Sequence, residues 1–214
     1  GPSAGQRLAV QTKPAVVRVV AGYVVEVDLG QGRSERRFVG GHGSGFFVSA
    51  DGYLVTNAHV VEFVQQGDDK AHAQIVSDFL AQLAREKNVD LARLPVAQRQ
   101  ELSRLVGQAV KLAKKVSVII LPNGDQLVYD IKAFGTPVSM AGSKDVAILK
   151  VQTRNAPTLL LGDESSVELQ DKVYAIGYPG AADDLVGVLD EKAMLEATIT
   201  DGNVSARKKT SDGV

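Results

Sequence analysis

Most of the chain alternates short apolar runs with turn residues, a pattern typical of antiparallel strands. Runs rich in β-branched or aromatic residues occupy residues 15–20, 23–29, 46–49, 53–56, 116–121, 126–133, 146–151 and 172–178. Asp51-Gly52 separates two of these runs, and Asn123-Gly124 separates two others. Dipeptides of this kind favour the tight turns that join hairpin strands. The pattern therefore predicts an all-β fold that is built largely from hairpins.

A different pattern fills residues 62–115, which are rich in Ala, Leu, Gln, Lys and Glu. Apolar side chains recur there at the three- and four-residue spacing of a helix, and Pro95 suits the first turn of a second helix. We therefore expect an inserted α-helical hairpin with helices at 70–87 and 95–114. The side chains expected to be buried are Phe79, Leu80, Leu105 and Val106.

An amphipathic hairpin has to cover its apolar stripes. Packing on the β domain of the same chain is the simpler arrangement. Self-association or contact with a partner chain through helices 70–87 and 95–114 is the alternative. If the four apolar side chains are largely exposed, the partner surface becomes the better account.

Composition removes several classes of function. The 214 residues carry 24 Lys and Arg against 25 Asp and Glu, a formal net charge of −1 that favours neither nucleic acid nor an anionic membrane. Aromatic residues make up 5% and Trp is absent, which argues against stacking platforms for single-stranded nucleic acid. Cysteine is also absent, so disulfides, thiolate nucleophiles and thiolate-bound metals are excluded.

One histidine has an informative context. A lone His in a β-rich domain is usually a hydrogen-bonded structural residue, but His59 ends a stretch with a distinctive order of residues. Residues 43–61 are Gly-Ser-Gly-Phe-Phe-Val-Ser-Ala-Asp-Gly-Tyr-Leu-Val-Thr-Asn-Ala-His-Val-Val. This stretch closely resembles the segment around the catalytic His of trypsin-like serine proteases of the bacterial HtrA (DegP) type.

Further stretches agree with that family in the same order along the chain. Residues 143–151, Ser-Lys-Asp-Val-Ala-Ile-Leu-Lys-Val, are similar to its second motif, and Asp145 occupies the matching Asp position. Residues 161–166, 171–180 and 198–207 resemble the first part of its second barrel. Alone, Asp145 would be a turn or cap residue, but with the His motif upstream the catalytic interpretation is favoured.

The resemblance implies a serine endopeptidase that hydrolyses protein or peptide substrates through an acyl-enzyme. His59 would be the base that activates the nucleophilic hydroxyl, and Asp145 would hold its ring. We expect the two side chains to face each other at hydrogen-bonding distance. No metal or organic cofactor is implied. An extracytoplasmic location, whether periplasmic, secreted or membrane-anchored, is favoured because HtrA-type proteins commonly work outside the cytoplasm.

The nucleophile is the point at which this sequence departs from the family. The family places its serine in a Gly-x-Ser-Gly-Gly motif, which does not occur here. Ser165 and Ser166 match a turn, and Ser205 matches the strand before the nucleophile loop. We therefore expect the 214 residues to be an inactive fragment, truncated before the serine. The alternative is a non-catalytic, protease-like binding or assembly module that uses the helical insertion.

The resemblance also predicts a division of the chain. Residues 1–14 are interpreted as a tag remnant and an N-terminal arm, because Gly1-Pro2-Ser3 looks like the scar of a removed expression tag. Residues 15–154 would form a first β-barrel with the helical insertion 62–115, and residues 155–214 the start of a second. The implied fold is a trypsin-like double antiparallel β-barrel whose second barrel is incomplete.

The two other histidines have simpler interpretations. His42 lies among glycines and is expected to be an exposed loop residue. His72 is expected on the solvated face of the first inserted helix. A zinc site made by His42, His59 and Asp145 has suitable ligand types but lacks the usual helical or hairpin spacing, so no metal is expected.

Overall fold

The computed structural model describes residues 1, 3–136, 144–178 and 197–206. Its helices are α1 (Ala4–Thr12), α2 (Ala58–Gln65), α3 (Asp68–Glu86) and α4 (Val96–Ala109). Its strands are β1 (Val16–Gly30), β2 (Arg33–Phe47), β3 (Tyr53–Thr56), β4 (Val110–Ile120), β5 (Gln126–Phe134), β6 (Ala147–Val151), β7 (Lys172–Gly177) and β8 (Thr198–Asn203). Short 3₁₀ turns occur at Lys13–Ala15, Leu91–Arg93 and Glu164–Ser166.

Six strands close into a barrel in the order β1-β2-β3-β6-β5-β4. The tight turns that the sequence predicts are present, since Gly52 has a φ of 101° before β3 and Gly124 a φ of 91° between β4 and β5. Positive φ values of this kind are the conformations that glycine adopts without strain. In the β3–β6 pair Leu54 lies opposite Leu149, and both side chains are buried. The predicted antiparallel β fold is therefore confirmed for this barrel.

The chain divides into two compact units. One unit contains Gly1–Val20, His42–Val61 and Ser117–Val214, and the other contains Ala21–Gly41 and Glu62–Val116. Within the first unit the buried Tyr129 hydroxyl donates a hydrogen bond to the Val20 carbonyl at 3.2 Å. The large buried apolar side chains of this unit include Val17, Val19, Phe47, Leu54, Ile119 and Leu149.

The second unit carries the helical insertion. Helix α3 buries Ala71, Ile75, Val76 and Ala84, whereas the described residues of α4 include no fully buried side chain. Phe79, Leu80 and Val106 are half-buried, and Leu105 is 48% exposed, so the predicted burial of these four side chains is wrong. The buried positions of α3 carry small or β-branched side chains. The larger side chains Phe79 and Leu80 are only partly covered.

The predicted helical hairpin is present with different bounds. The first helix, expected at 70–87, spans Asp68–Glu86, and the second, expected at 95–114, ends at Ala109. Residues 110–115 belong to β4, because membership of the barrel sheet overrides the helical spacing of their apolar side chains. Residue 62, the expected start of the insertion, falls inside α2.

The N-terminal arm is also partly helical. Helix α1 begins after Ser3, whose hydroxyl accepts a hydrogen bond from the Gln6 backbone N–H at 3.2 Å. The Gln6 side chain accepts one in return from the Ser3 backbone N–H at 2.7 Å. This reciprocal pair is a capping box, and it supplies partners for amides at the start of the helix.

The part of the chain after residue 155 contains a two-stranded sheet. Strands β7 and β8 pair antiparallel, with Tyr174 opposite Asp201 and Ile176 opposite Ile199. The segments at 179–196 and 207–214, where the sequence predicts more of a second barrel, lie outside the described residues. The second barrel therefore stays a prediction. Among the described residues, no helix has the length and apolar character needed to cross a membrane.

Candidate active site

Strand register brings the two predicted site residues together, although they are far apart in sequence. Strand β3 pairs antiparallel with β6, and Thr56 lies opposite Ala147. His59 lies in the first turn of α2, three residues after Thr56, and Asp145 lies two residues before Ala147. Both residues therefore lie at the same end of the β3–β6 pair.

The carboxylate of Asp145 binds His59 through both of its oxygens. The distance from His59 Nδ1 to Asp145 Oδ2 is 2.7 Å, which confirms the expected contact. The His59 backbone N–H donates to Oδ1 at 2.9 Å. An N–H in the first turn of a helix has no partner within the helix, so Asp145 caps α2 while it holds the ring. The contact at Nδ1 orients the His59 ring, and the backbone contact holds the start of α2 against the same carboxylate.

Asn57 also donates hydrogen bonds to Asp145. Its side-chain amide donates to Asp145 Oδ2 at 3.2 Å and to the Asp145 carbonyl at 3.0 Å. The sequence reasoning assigned no role to Asn57, although it stands two residues before His59 within the same motif. Its contribution depends on a partner 88 residues away, which only the strand pairing reveals.

These contacts determine the charge of the site. Desolvation raises the pKa of Asp145, but hydrogen bonds from the His59 backbone, the His59 ring and the Asn57 amide outweigh it and lower the pKa below its ordinary value. The carboxyl is therefore ionised at neutral pH and can only accept hydrogen bonds. Nδ1 of the neutral His59 ring must carry the proton, which leaves a lone pair on Nε2. The His59 side chain is 56% exposed and that of Asp145 is 13% exposed.

The Gly-Ser-Gly segment fits closely against its surroundings. A Cβ atom on Gly43 would come within 2.5 Å of Val60 Cγ2 in α2, and one on Gly45 within 2.9 Å of Val19 Cγ2. The Ser44 hydroxyl accepts a hydrogen bond from the Tyr178 backbone N–H at 2.8 Å. The two glycines thus allow β2 to approach α2 and β1, and Ser44 holds the chain that follows β7.

Tyr178 is held from a second direction by a residue the sequence reasoning did not single out as functional. The guanidinium of Arg18, in β1, lies 5.6 Å from the centre of the Tyr178 ring. Arg18 is buried, and desolvation lowers its pKa while the electrostatic interaction with Tyr178 opposes that change. A buried charge over an aromatic face is a stabilising arrangement, so Arg18 and Ser44 together fix the position of Tyr178.

A cavity of about 410 Å³ lies beside Asn57. Its lining residues are Val16, Ser44, Gly45, Phe46, Val55, Thr56, Asn57, Val146, Leu159, Tyr174 and Ile176. Among the polar groups, the Thr56 hydroxyl donates to the Ser44 carbonyl at 2.8 Å, and the Ser44 hydroxyl accepts from Tyr178. The remaining walls are largely apolar, so the cavity suits an apolar group close to the His59–Asp145 pair.

The other histidines differ from their sequence interpretations. His42 lies within β2 and is half-buried, not exposed in a loop, because the strand extends through the glycine-rich segment. His72 is also half-buried, and its Nε2 lies 2.8 Å from the Val110 carbonyl, so it links α3 to the start of β4. In the described part of the chain, no three His, Asp or Glu side chains are grouped in a way that could hold a metal ion.

The serines considered in the sequence have local roles in the structure. Ser165 and Ser166 lie in the 3₁₀ turn that Asp163 caps, and the Ser166 hydroxyl donates to the Asp163 carbonyl at 2.6 Å. Ser205 follows β8. Within residues 1, 3–136, 144–178 and 197–206, no hydrogen bond joins a serine hydroxyl to the His59 ring. The described contacts of the His59 ring are therefore those with Asp145.

Two curated relatives are named as probable periplasmic serine endoproteases of the DegP-like type. The relative from Halomonas elongata is 28% identical over 180 residues, which covers 84% of this chain and 23% of the relative. The relative from Bartonella henselae is 30% identical over 126 residues, which covers 56% of this chain and 22% of the relative. The chain thus spans less than a quarter of the length of these relatives.

A solved structure of the serine endoprotease from Yersinia pestis is also similar. It is 17% identical to this chain, with a TM-score of 0.48, and the match covers 96% of this chain and 46% of that one. The family model described as the trypsin-like peptidase domain matches residues 43–214, which is most of the chain. This match includes both His59 and Asp145, and the relatives agree with it. The chain therefore belongs to the trypsin-like peptidase domain family.

Proposed function

We propose that this chain carries the general-base part of a serine endopeptidase active site, in which His59 is the base and Asp145 its partner. The observation that supports this most strongly is the 2.7 Å contact between His59 Nδ1 and Asp145 Oδ2, together with the bond from the His59 backbone to the same carboxylate. It leaves Nε2 as the basic nitrogen on a half-exposed ring. A fixed tautomer with a basic Nε2 is what activation of a serine hydroxyl requires.

The reaction is peptide bond hydrolysis in two halves. As the serine oxygen attacks the substrate carbonyl, Nε2 of His59 takes the hydroxyl proton, and the imidazolium that forms is stabilised by the Asp145 carboxylate. The imidazolium then gives this proton to the leaving amine, and an acyl-enzyme remains. In the second half a water molecule attacks the acyl-enzyme while Nε2 of His59 takes a proton from it. The imidazolium then returns the proton to the serine oxygen, and the acid product leaves. Asp145 stays ionised throughout.

The nucleophile of this proposal lies outside the 214 residues, because no Gly-x-Ser-Gly-Gly motif occurs in them. The 214-residue chain alone is accordingly inactive. The substrates are proteins or peptides, and the apolar cavity beside Asn57 would take an apolar substrate group. The relatives are named as periplasmic, which favours an extracytoplasmic location for this protein as well.

A serine-directed fluorophosphonate probe tests the proposal. We expect a longer form that includes the Gly-x-Ser-Gly-Gly segment to be labelled, and His59→Ala in that form to abolish labelling, because the hydroxyl loses its base. The 214-residue chain should not be labelled. Labelling of the 214-residue chain would show that a serine already present is the nucleophile. Failure of the wild-type longer form to react would contradict the endopeptidase proposal.

A non-catalytic binding or assembly module is the second candidate, and the helical insertion favours it. On α3 and α4, Leu83 is 42% exposed and Leu105 is 48% exposed, although each lies in an apolar stripe. Self-association through these helices would cover such side chains. Sedimentation velocity of the wild type and of Leu83→Ser with Leu105→Ser tests this. Concentration-dependent association that the double variant removes would support the assembly role, and a monomer at all concentrations would contradict it.

A further inference from the structure

A second cavity lies at the other end of β6 from Asp145. Asp145 precedes the first residue of β6, and the cavity is lined by Thr153–Pro157, which follow its last residue. Asp145 and the Thr153–Pro157 segment are therefore separated by about 17 Å, the length of the five-residue strand β6. The cavity measures about 360 Å³ and shares no lining residue with the cavity beside Asn57. Its volume is in the range of ligand-binding pockets.

Three segments of the first unit form the walls, and each contains a proline. The lining residues are Lys13, Pro14, Phe47, Leu121, Pro122, Asn123, Thr153, Arg154, Asn155, Ala156 and Pro157. Proline restricts the backbone on which it stands. The buried ring of Phe47 adds a further apolar surface. The cavity is thus largely apolar, with rigid walls.

Backbone hydrogen bonds hold these walls in place. The Val151 N–H donates to the Gly52 carbonyl at 3.0 Å, and the Ala156 N–H donates to the Ala50 carbonyl at 3.0 Å. In the segment that contains Pro122, the Leu121 N–H donates to the Asp125 carbonyl at 2.9 Å. These bonds hold two of the proline-containing segments that line the cavity. The site is therefore preformed, and little ordering is needed when a ligand binds.

The charges at the cavity have one sign. Lys13 and Arg154 are among its lining residues, and no Asp or Glu is. Within the described residues neither side chain makes an ion pair, whereas Arg93, Arg104, Lys132 and Lys172 each do. Asp125, close in sequence to the Leu121–Asn123 wall, accepts a hydrogen bond from the Asn123 amide at 2.8 Å. An apolar cavity with two cations at its walls is complementary to a ligand that combines an apolar group with a carboxylate.

We propose that this cavity binds the C-terminal end of a peptide whose last side chain is apolar. The side chain fills the space between the prolines, and the terminal carboxylate pairs with Arg154 and Lys13. Arginine suits this role because its planar fork matches both carboxylate oxygens. Asn155 lines the same cavity, and its side-chain amide makes no hydrogen bond among the described residues. The Asn155 side-chain amide offers an N–H donor and a carbonyl acceptor, which can pair with a peptide bond. An acyl chain has no backbone amide that could use them.

The test measures fluorescence anisotropy of the 214-residue chain with two labelled hexapeptides that both end in leucine. One has a free carboxylate, and the other is amidated. We expect the free acid to bind at least about tenfold more tightly, because a charge-assisted pair is lost on amidation. Arg154→Gln should weaken binding of the free acid by a similar factor, and Lys13→Gln by less. Arg99→Gln, an exposed charge change on α4, is the matched control and should leave binding unchanged.

Other outcomes would overturn the proposal. Equal binding of the acid and the amide would show that no carboxylate is recognised. Unchanged binding by Arg154→Gln, with a native circular dichroism spectrum, would show that the peptide binds elsewhere. If a tenfold excess of the unlabelled acid displaces neither labelled peptide, the binding is non-specific. If decanoate binds saturably and the peptides do not bind, the cavity is an acyl-chain site. None of these readouts depends on catalysis, so they remain informative if the endopeptidase proposal fails.

Discussion

The surroundings of His59 and the helical insertion maintain their side-chain positions by different means. At His59 a single carboxylate accepts hydrogen bonds from a ring, a backbone amide and the Asn57 side chain. In the insertion, α3 buries Ile75 and Val76 by apolar contact, and the half-buried His72 supplies a polar link to the Val110 carbonyl. One region depends on a few directional bonds, and the other on many weak contacts.

This difference has a physical consequence. A directional network fails when one member is changed, because the partners of that member are left unsatisfied. An apolar contact loses free energy in proportion to the area that each side chain buries. Single substitutions near His59 should therefore affect function strongly, and those in the insertion should affect stability according to burial.

The largest expected effect is on catalysis by a longer form that includes the nucleophile. Asp145→Asn should lower kcat by about 10⁴-fold, because an amide in place of the carboxylate favours the wrong tautomer of His59. Steady-state hydrolysis of a peptide substrate measures this. Asp130→Asn, at an exposed carboxylate on β5, is the control and should change kcat little. A loss of less than tenfold for Asp145→Asn would contradict the directional account.

Within the insertion, burial should decide the size of the effect. Ile75→Ala removes a fully buried side chain and should lower the free energy of unfolding by about 2–5 kcal/mol. Leu105→Ala, at a 48% exposed position, should cost under about 1 kcal/mol. Urea denaturation of both variants compares them. Leu105→Ala could lower the free energy of unfolding as much as Ile75→Ala does, but only at high protein concentration. That result would show that the insertion is an interface between copies of the chain.

The close approach of β2 to α2 gives a smaller effect. Gly43→Ala would place a Cβ atom 2.5 Å from Val60 Cγ2, and overpacking of this kind costs about 1–3 kcal/mol. Gly41→Ala is the matched control, since its added Cβ meets no atom within 4 Å. Thermal and urea unfolding should separate the two. Equal stability of the two variants would show that β2 and α2 are far enough apart at Gly43 to accept a methyl group.

The smallest effect is a change of stability with pH. Because the pKa of Asp145 is lower in the folded protein than its ordinary value of 3.8, the carboxylate stabilises the fold above that pH. This contribution is lost as the pH falls through the folded-state pKa. The difference in unfolding free energy between wild type and Asp145→Asn should therefore shrink below about pH 4. Glu101→Gln, which breaks an exposed pair with Arg104, should leave the wild-type pH profile nearly unchanged.

The pairing of His59 with Asp145 could be predicted from sequence because each belongs to a motif of fixed order. The bond from the His59 backbone and those from Asn57 could not, since they depend on the register of β3 against β6. Motif order indicates which residues meet. Strand register decides which other groups meet with them.

Elements of the fold show a similar division. Asp51-Gly52 and Asn123-Gly124 predict turns that the structure contains, because positive φ is a local requirement. The end of α4 could not be predicted, because the apolar spacing through Ala109 and Val110 suits a helix, whereas the chain from Val110 onward joins the barrel as β4. Helix α1 could be predicted from sequence, because Ser3 and Gln6 have the spacing of a capping box.

The tautomer of His59 in the 214-residue chain tests most directly whether His59 can act as the base. Long-range ¹H–¹⁵N correlation spectra, recorded at a pH where the ring is neutral, report which nitrogen carries the proton. We predict a proton on Nδ1 in the wild type, held by Asp145 at 2.7 Å, and a shift toward Nε2 in Asp145→Asn. A wild-type ring protonated at Nε2, or a tautomer that Asp145→Asn leaves unchanged, would contradict the assignment of His59 as the base.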